Sequence, residues 1–145
     1  MEGIFKTLSD AAIIHKTGGG TGFDFSSLRP EGAMVSNKTG VSTGPLAFCQ
    51  VYDKATEVVK QGSTRRGANM MTFSVHHPQI LDFIDMKLVP GVMTNFNVSV
   101  TVTNEFMKAV QDDTKYELRH PYTGSVGHLN ALSLIHISEP TRPRL

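Results

Sequence analysis

The sequence is poor in cysteine, lacks tryptophan and has almost balanced charges. Its single cysteine, Cys49, excludes an internal disulfide and a zinc site built from several thiolates. Fourteen Lys plus Arg against 13 Asp plus Glu give a net charge of +1, which disfavours a generic nucleic-acid or membrane-surface binder. The longest apolar runs fall far short of the roughly 20 residues that a membrane-spanning helix needs. Met1 is not followed by a secretory-signal pattern. A cytoplasmic protein is expected.

Helical and strand patterns alternate along the chain. Apolar residues at the 3.6-residue helical period predict helices over 4–14, 45–60, 78–86 and 104–110. Alternating apolar and polar residues predict strands around 23–25, 70–75, 95–102 and 115–119. This order predicts an α/β fold with largely parallel strands.

Two of the predicted helices carry local start signals. Pro45 follows Thr43-Gly44 and suits the first helical position, where its missing N–H costs nothing. Thr103 suits the N-cap of the helix that begins at Asn104.

A triple glycine, Gly18 to Gly20, is followed by Thr21-Gly22. Two interpretations of it stay open. It could bind phosphate, although no Lys-Ser/Thr follows and Phe23 stands where a dinucleotide-binding pattern needs a third glycine. It could instead be a tight turn from helix to strand that requires a positive φ.

Two arginines, Arg65 and Arg66, lie between Gly62 and Gly67. Their permanently charged guanidinium groups on a flexible loop could bind a phosphate or the edge of a base. The alternative is a solvated basic loop.

Two other features favour structural roles over chemistry. Adjacent histidines in a strand point to opposite faces, so His76 and His77 are interpreted as a structural pair and not as metal ligands. Cys49 lies near the apolar face of its predicted helix and is interpreted as a buried, inert thiol.

Several motifs occur together in one order: Ile14-His15-Lys16, Gly18 to Phe23, Phe25-Ser26-Ser27-Leu28-Arg29-Pro30, Ser42-Thr43-Gly44-Pro45, Ala55 to Lys60, Gln61 to Asn69, His77-Pro78 and Asn95 to Val100. In this combination residues 1–131 resemble the large catalytic chain of ribonucleotide reductase. The adenosylcobalamin-dependent branch is the one that they resemble best.

This resemblance implies a fold and a set of binding residues. The chain would be a fragment of a ten-stranded α/β barrel, in its N-terminal part. Allosteric specificity loop 1 would span about 27–40, and loop 2 about 61–69. Lys16 and Arg29 would contact the phosphates of a deoxynucleoside triphosphate effector. Lys60, Gln61 and Arg65, with Arg66 and Ala68 as neighbours, would relay the effector's identity to the base of the ribonucleotide substrate.

The resemblance also implies an activity for the parent enzyme. That enzyme would convert ribonucleotides to deoxyribonucleotides by thiyl-radical chemistry with adenosylcobalamin, as a homodimer that engages neither nucleic acid nor membrane. The family uses a radical cysteine and a cysteine pair, and Cys49 matches none of these three. The chain is therefore interpreted as an internal, catalytically inactive fragment. The alternative is a non-catalytic regulatory nucleotide-binding module.

The end of the chain departs from the family pattern. Residues 132–145 resemble the conceptual translation of a sequencing adapter, so they are predicted to be a non-native tail. Pro140 and Pro143 would interrupt helix and strand alike, so the tail is also expected to be disordered and dispensable.

The 145-residue chain is expected to yield no deoxyribonucleotide when it is supplied with adenosylcobalamin, a dithiol and ribonucleotides. The physical reason is that one thiol cannot act both as the radical and as the reducing pair. Product can be measured by chromatography, with Cys49→Ala as the control. A nucleotide-dependent yield above that of the Cys49→Ala chain would contradict the prediction.

Overall fold

The computed structural model describes residues 1–35, 40–60 and 68–138 as a mixed α/β structure. The helices are α1 (Glu2–Lys16), α2 (Pro45–Lys60), α3 (Ile80–Met86), α4 (Asn104–Gln111) and α5 (Ala131–Ser138). The strands are β1 (Thr21–Asp24), β2 (Met34–Val35), β3 (Gly40–Val41), β4 (Asn69–Ser74), β5 (Phe96–Thr101), β6 (Lys115–His120) and β7 (Gly124–Asn130). The predicted α/β class is confirmed.

The principal sheet contains three parallel strands in the order β1-β4-β5. Thr21 lies opposite Asn69 in the register of β1 with β4, and Asn69 lies opposite Phe96 in the register of β4 with β5. Each connection within this sheet passes through a helix, α2 before β4 and α3 before β5, as parallel pairing requires. Among the described strands the sheet is an open arc, with β1 and β5 at its edges.

The local signals in the sequence have the expected effect at both helix starts. Pro45 is the first residue of α2, directly after Gly44 with its φ of +80°. Thr103 is the N-cap of α4, and its side chain accepts a hydrogen bond from the backbone N–H of Phe106 at 3.2 Å. These two predictions are confirmed.

The hydrophobic core lies against the buried face of β4. Met71 and Phe73 alternate with more exposed residues along that strand, and Phe73 stacks on Phe83 of α3 with ring centroids 4.5 Å apart. Cys49 of α2 belongs to the same core and is fully buried. Burial raises the pKa of its thiol to about 12. The interpretation of Cys49 as an inert core residue is confirmed.

Two antiparallel hairpins lie outside the parallel sheet, so the expectation of largely parallel strands is correct only for β1, β4 and β5. One hairpin pairs β2 with β3, and the other pairs β6 with β7 through an irregularity between Leu118 and Arg119. The sequence did not predict β7. Its glycines and polar residues have low strand propensity, so the strand depends on its pairing with β6.

The helix α5 corrects the expectation of a disordered tail for residues 132–138. Ala131 is fully buried and Leu134 is 4% exposed. Their spacing, together with Ile135, puts apolar side chains on one helix face that packs on the core. The remaining tail residues, 139–145, lie outside the described part of the chain. A foreign origin of the tail stays a prediction.

No helix among the described residues has the length and apolarity needed to cross a membrane.

Replacing Leu134 by alanine should lower the free energy of unfolding by about 2–5 kcal/mol, since it removes a buried side chain and leaves a cavity. Ile137→Ala is the matched control, because Ile137 lies on the same helix and is 49% exposed. It should change the free energy by less than about 0.5 kcal/mol. Chemical denaturation measures both, and equal stability of Leu134→Ala and the parent chain would show that α5 does not pack on the core.

Candidate functional site

Lys16 is the last residue of α1, and its side chain is exposed with no partner among the described residues. The carbonyl groups at this helix end carry a partial negative charge, which a lysine complements. Any anion bound here would therefore depend on the lysine side chain and not on the helix.

The glycines after Lys16 form a tight turn, as one of the two interpretations predicted. Gly18 has a φ of +81° and donates its N–H to the carbonyl of His15 at 2.9 Å. A Cβ at Gly19 would lie 2.7 Å from Cγ2 of Ile14. Both positions therefore need glycine for the geometry of the turn.

The turn ends against Ala68, the residue that follows the 61–67 segment. The backbone N–H of Thr21 donates to the carbonyl of Ala68 at 3.1 Å. A Cβ at Gly20 would come within 3.2 Å of the same oxygen. The start of β1 and the residue before β4 are thus in direct backbone contact, with Ala68 itself exposed.

Four polar side chains connect α1, β1, β4 and α2 by hydrogen bonds, and we call them the polar bridge: His15, Thr21, Asn69 and Thr56. His15 Nε2 lies 2.9 Å from Thr21 Oγ1, and Thr21 Oγ1 donates to Asn69 Oδ1 at 2.6 Å. Asn69 Nδ2 then donates to Thr56 Oγ1 at 2.7 Å. His15, Asn69 and Thr56 are each 2–3% exposed.

The hydrogen bonds of the polar bridge all run in one donor-to-acceptor direction, from His15 to the carbonyl of Tyr52. Thr56 gives its only hydroxyl hydrogen to the carbonyl of Tyr52 at 2.8 Å, so it must accept from Asn69. Thr21 gives its hydrogen to Asn69, so it must accept from His15, whose Nε2 therefore carries a proton. No buried side-chain nitrogen or oxygen in the described part of the chain lacks a hydrogen-bond partner.

Arg29 lies beyond the other end of β1. Its guanidinium carbon is 4.2 Å from the centroid of the Tyr122 ring, and its carbonyl accepts a hydrogen bond from Ser42 Oγ at 3.1 Å. The side chain lines a cavity of about 240 Å³ that Tyr122, Ser42 and Thr43 also line. The structure does not bring Arg29 into contact with Lys16, because β1, about 10 Å long, lies between them.

The other predicted site residues fall on the 61–67 segment or at its edge. Gln61, Arg65 and Arg66 lie outside the described residues, and so does the side chain of Lys60. The backbone of Lys60 ends α2, four residues after Thr56. The described flanks of the segment are therefore Lys60 on one side and Ala68 on the other.

His76 and His77 are structural residues, as predicted, although they lie in the turn after β4 and not in a strand as expected. His76 bonds through its two ring nitrogens to the Glu117 carbonyl at 2.7 Å and to Thr103 Oγ1 at 2.8 Å. His77 Nε2 donates to the carbonyl of Leu28 at 3.0 Å, and its Nδ1 accepts from the N–H of Gln79 at 3.1 Å. His77 thereby fixes the backbone beside Arg29.

The sequence did not reveal the polar bridge. Its hydrogen-bonded pairs are separated by as many as 48 residues along the chain. A threonine within a helix and an asparagine at the start of a strand are ordinary surface residues by pattern alone. The one sequence feature that could have indicated it is position, because His15 directly precedes Lys16 and Asn69 directly follows Ala68, and both neighbours are predicted site residues.

Residues 1–138 match the family model described as ribonucleotide reductase, barrel domain. The chain belongs to this family. The match runs seven residues beyond position 131, where the sequence had been expected to leave the family pattern. The three parallel strands are an unclosed part of the α/β barrel that the family name describes.

The relatives with high identity belong to the vitamin B12-dependent branch, so the predicted resemblance is confirmed. A vitamin B12-dependent ribonucleoside-diphosphate reductase of Thermoplasma acidophilum is 45% identical over 127 residues, which cover 87% of this chain and 16% of that protein. A Mycobacterium tuberculosis protein of the same name is 42% identical over 127 residues, covering 87% and 18%. The large subunit of the vaccinia virus reductase is 30% identical over 126 residues, covering 83% and 16%. This segment of the barrel domain thus spans about a sixth of the length of these relatives.

Acidification should destabilise the chain through His77. Burial, the largest effect, lowers the pKa of His77, the hydrogen bond to the Leu28 carbonyl opposes this shift, and the charge of His120 adds to it. Since the pKa in the folded state is below the usual value of about 6.5, the unfolded chain takes up the proton first. The stabilisation is complete above that value and is lost as the pH falls through the lowered pKa.

Thermal unfolding of the parent chain and of His77→Gln between pH 7.5 and pH 4.5 measures this effect. His77→Gln should be less stable at pH 7.5 and should lose less stability on acidification. Parallel pH profiles of the two chains would contradict the assignment.

Proposed function

We propose that this chain is part of a ribonucleotide reductase that converts ribonucleotides to deoxyribonucleotides by thiyl-radical chemistry. Within that enzyme, the segment binds a deoxynucleoside triphosphate effector and relays its identity to the substrate site. The observation that carries the proposal is the 45% identity to a vitamin B12-dependent ribonucleoside-diphosphate reductase over most of the chain.

Lys16 and Arg29 are proposed to bind the phosphates of the effector. An exposed ammonium group without a partner among the described residues supports this role for Lys16. Arg29 presents a permanently charged guanidinium at a cavity, where the Tyr122 ring restrains it by a cation–π contact. Because β1 separates the two, a triphosphate that reaches both must extend along this strand, or the two residues serve different parts of the nucleotide.

The residues of loop 2 are proposed to read the effector and signal to the substrate base: Lys60, Gln61, Arg65, Arg66 and Ala68. The backbone contact between Thr21 and Ala68 supports this assignment, because it connects the loop to the turn that follows Lys16. A displacement of Lys16 by the effector phosphates would therefore reach the loop through the few residues between Lys16 and Thr21.

Adenosylcobalamin is proposed as the cofactor of the parent enzyme, where it would supply the radical that generates the thiyl. The chain's own thiol does not fit that chemistry. Cys49 is fully buried in the core and its pKa is raised to about 12, so it is neither accessible nor easily ionised. No residue of this segment is assigned to the cofactor.

The burial of Cys49 also favours the second candidate, a regulatory nucleotide-binding module without catalysis. The gene sequence on either side separates the two candidates. An Asn-x-Cys-x-Glu loop in the same reading frame supports the enzyme, and its absence supports the module. The enzyme proposal further includes a ribonucleotide substrate, a homodimeric parent and a cytoplasmic location.

A chimaera tests the residue roles, in which this segment replaces the matching part of the Thermoplasma acidophilum reductase. Lys16→Ala and Arg29→Ala should each weaken effector binding about tenfold or more, since each removes a charge-assisted contact worth roughly 1.5–3 kcal/mol. Gln61→Ala and Arg65→Ala should instead change which substrate each effector favours. The measurements are effector dissociation constants and turnover of four ribonucleotides with each effector.

Lys6→Ala is the matched control, because Lys6 is also exposed on α1 but lies ten residues from Lys16. It should leave effector affinity unchanged. The roles would be reversed if Arg65→Ala preserved every substrate preference while Lys16→Ala scrambled them.

A further inference from the structure

The polar bridge lies between Lys16, which is proposed to bind phosphate, and both described flanks of the 61–67 segment of loop 2. His15 directly precedes Lys16, Asn69 directly follows Ala68, and Thr56 lies one helical turn before Lys60. Thr21 joins His15 to Asn69. One continuous set of hydrogen bonds therefore spans the end of α1, the first residue of β4 and the last turn of α2.

Stability alone does not account for three buried polar side chains, His15, Asn69 and Thr56, that are joined through the half-buried Thr21. Replacing a hydrogen-bonded polar set in a core by apolar side chains of similar volume often leaves the free energy of unfolding unchanged or raises it. What the polar groups add is a fixed geometry, because each bond requires its donor and acceptor at short range and at a defined angle.

The direction of the polar bridge makes it a stiff connection. The carbonyl of Tyr52 can only accept a hydrogen, so the bonds cannot reverse to absorb a movement. If the end of α1 moves, His15 moves with it and pulls on Thr21, the first residue of β1. Either Asn69 and Thr56 must follow or a buried polar group loses its partner.

We propose that the polar bridge is a positioning element that couples effector binding to loop 2. The side chains of Thr21, Asn69 and Thr56 touch neither effector nor substrate in this proposal. They transmit a displacement of the Lys16 end of α1 to Lys60 and Ala68, on either side of the 61–67 segment. The inference rests on the proposed function of Lys16 and loop 2, and it adds residues to which that function assigned no role.

The test measures the coupling between effector and substrate in the full-length chimaera. The substrate dissociation constant is determined with and without saturating effector, and the ratio of the two is the coupling. Thr56→Val and Thr21→Val each remove one hydroxyl and keep the shape of the side chain. In both variants the ratio should fall to within about twofold of one, whereas the effector dissociation constant should stay within about threefold of that of the unmodified chimaera.

Two further variants separate coupling from general loss of stability. Thr72→Val is the matched control, because Thr72 lies on β4 three residues after Asn69 and its hydroxyl also bonds to β1, at the Phe23 carbonyl. It should keep the full coupling ratio. Thr56→Ser retains a hydroxyl and should restore the coupling that Thr56→Val loses, which a role in side-chain packing alone would not predict.

Gly20→Ala provides a second route that leaves every side chain of the polar bridge in place, and it serves if Thr56→Val does not fold. Its new Cβ would press on the Ala68 carbonyl at 3.2 Å and displace the flank of loop 2. The coupling ratio should change in this variant while effector affinity is retained.

The outcomes distinguish the inference from the proposed function. If Lys16→Ala and Arg65→Ala behave as proposed but Thr56→Val, Thr21→Val and Gly20→Ala keep the full coupling ratio, the polar bridge is only structural and this inference is wrong. If Lys16→Ala leaves effector affinity unchanged and Arg65→Ala leaves substrate preference unchanged, the proposed function itself fails.

Discussion

The hydrogen bonds of Asn69 hold together the part of the molecule on which the candidate site depends. This residue begins the central strand β4, and its backbone N–H donates to the carbonyl of Asn95 in the turn before β5. Its side chain accepts from Thr21 of β1 and donates to Thr56 of α2. One buried amide therefore determines how two strands and a helix meet where the 61–67 segment ends. A side chain that only accepted, or only donated, would leave one of these partners unsatisfied.

Local sequence was a good guide wherever a feature depends on neighbouring residues. The helix starting at Pro45 and the cap at Thr103 were predicted correctly, since a fixed φ and a hydroxyl near a free N–H act within one turn. The strand β7 and the helix α5 were missed, because the first depends on pairing with β6 and the second on packing against the core. Contacts made across the fold leave no periodic pattern to detect.

The candidate site divides in the same way. The turn at Gly18 and the inert character of Cys49 could be inferred, since backbone sterics and an apolar helix face fix them. The separation of Lys16 from Arg29 could not, because a family motif gives the order of residues and not the length of the strand between them. The polar bridge was equally hidden, although His15 and Asn69 are sequence neighbours of the predicted site residues Lys16 and Ala68.

The open edge of the parallel sheet has a consequence for how the segment moves. The edge strand β1 pairs over four residues, whereas β5 pairs with β4 over six, so β1 has the smaller number of backbone bonds to lose. Regions with few such bonds open locally at a lower free energy than the global unfolding of a domain. The turn after Lys16 leads directly into this strand. A nucleotide that contacts Lys16 would therefore act next to the edge strand of this sheet with fewer pairing bonds, where local opening requires less free energy than at β5.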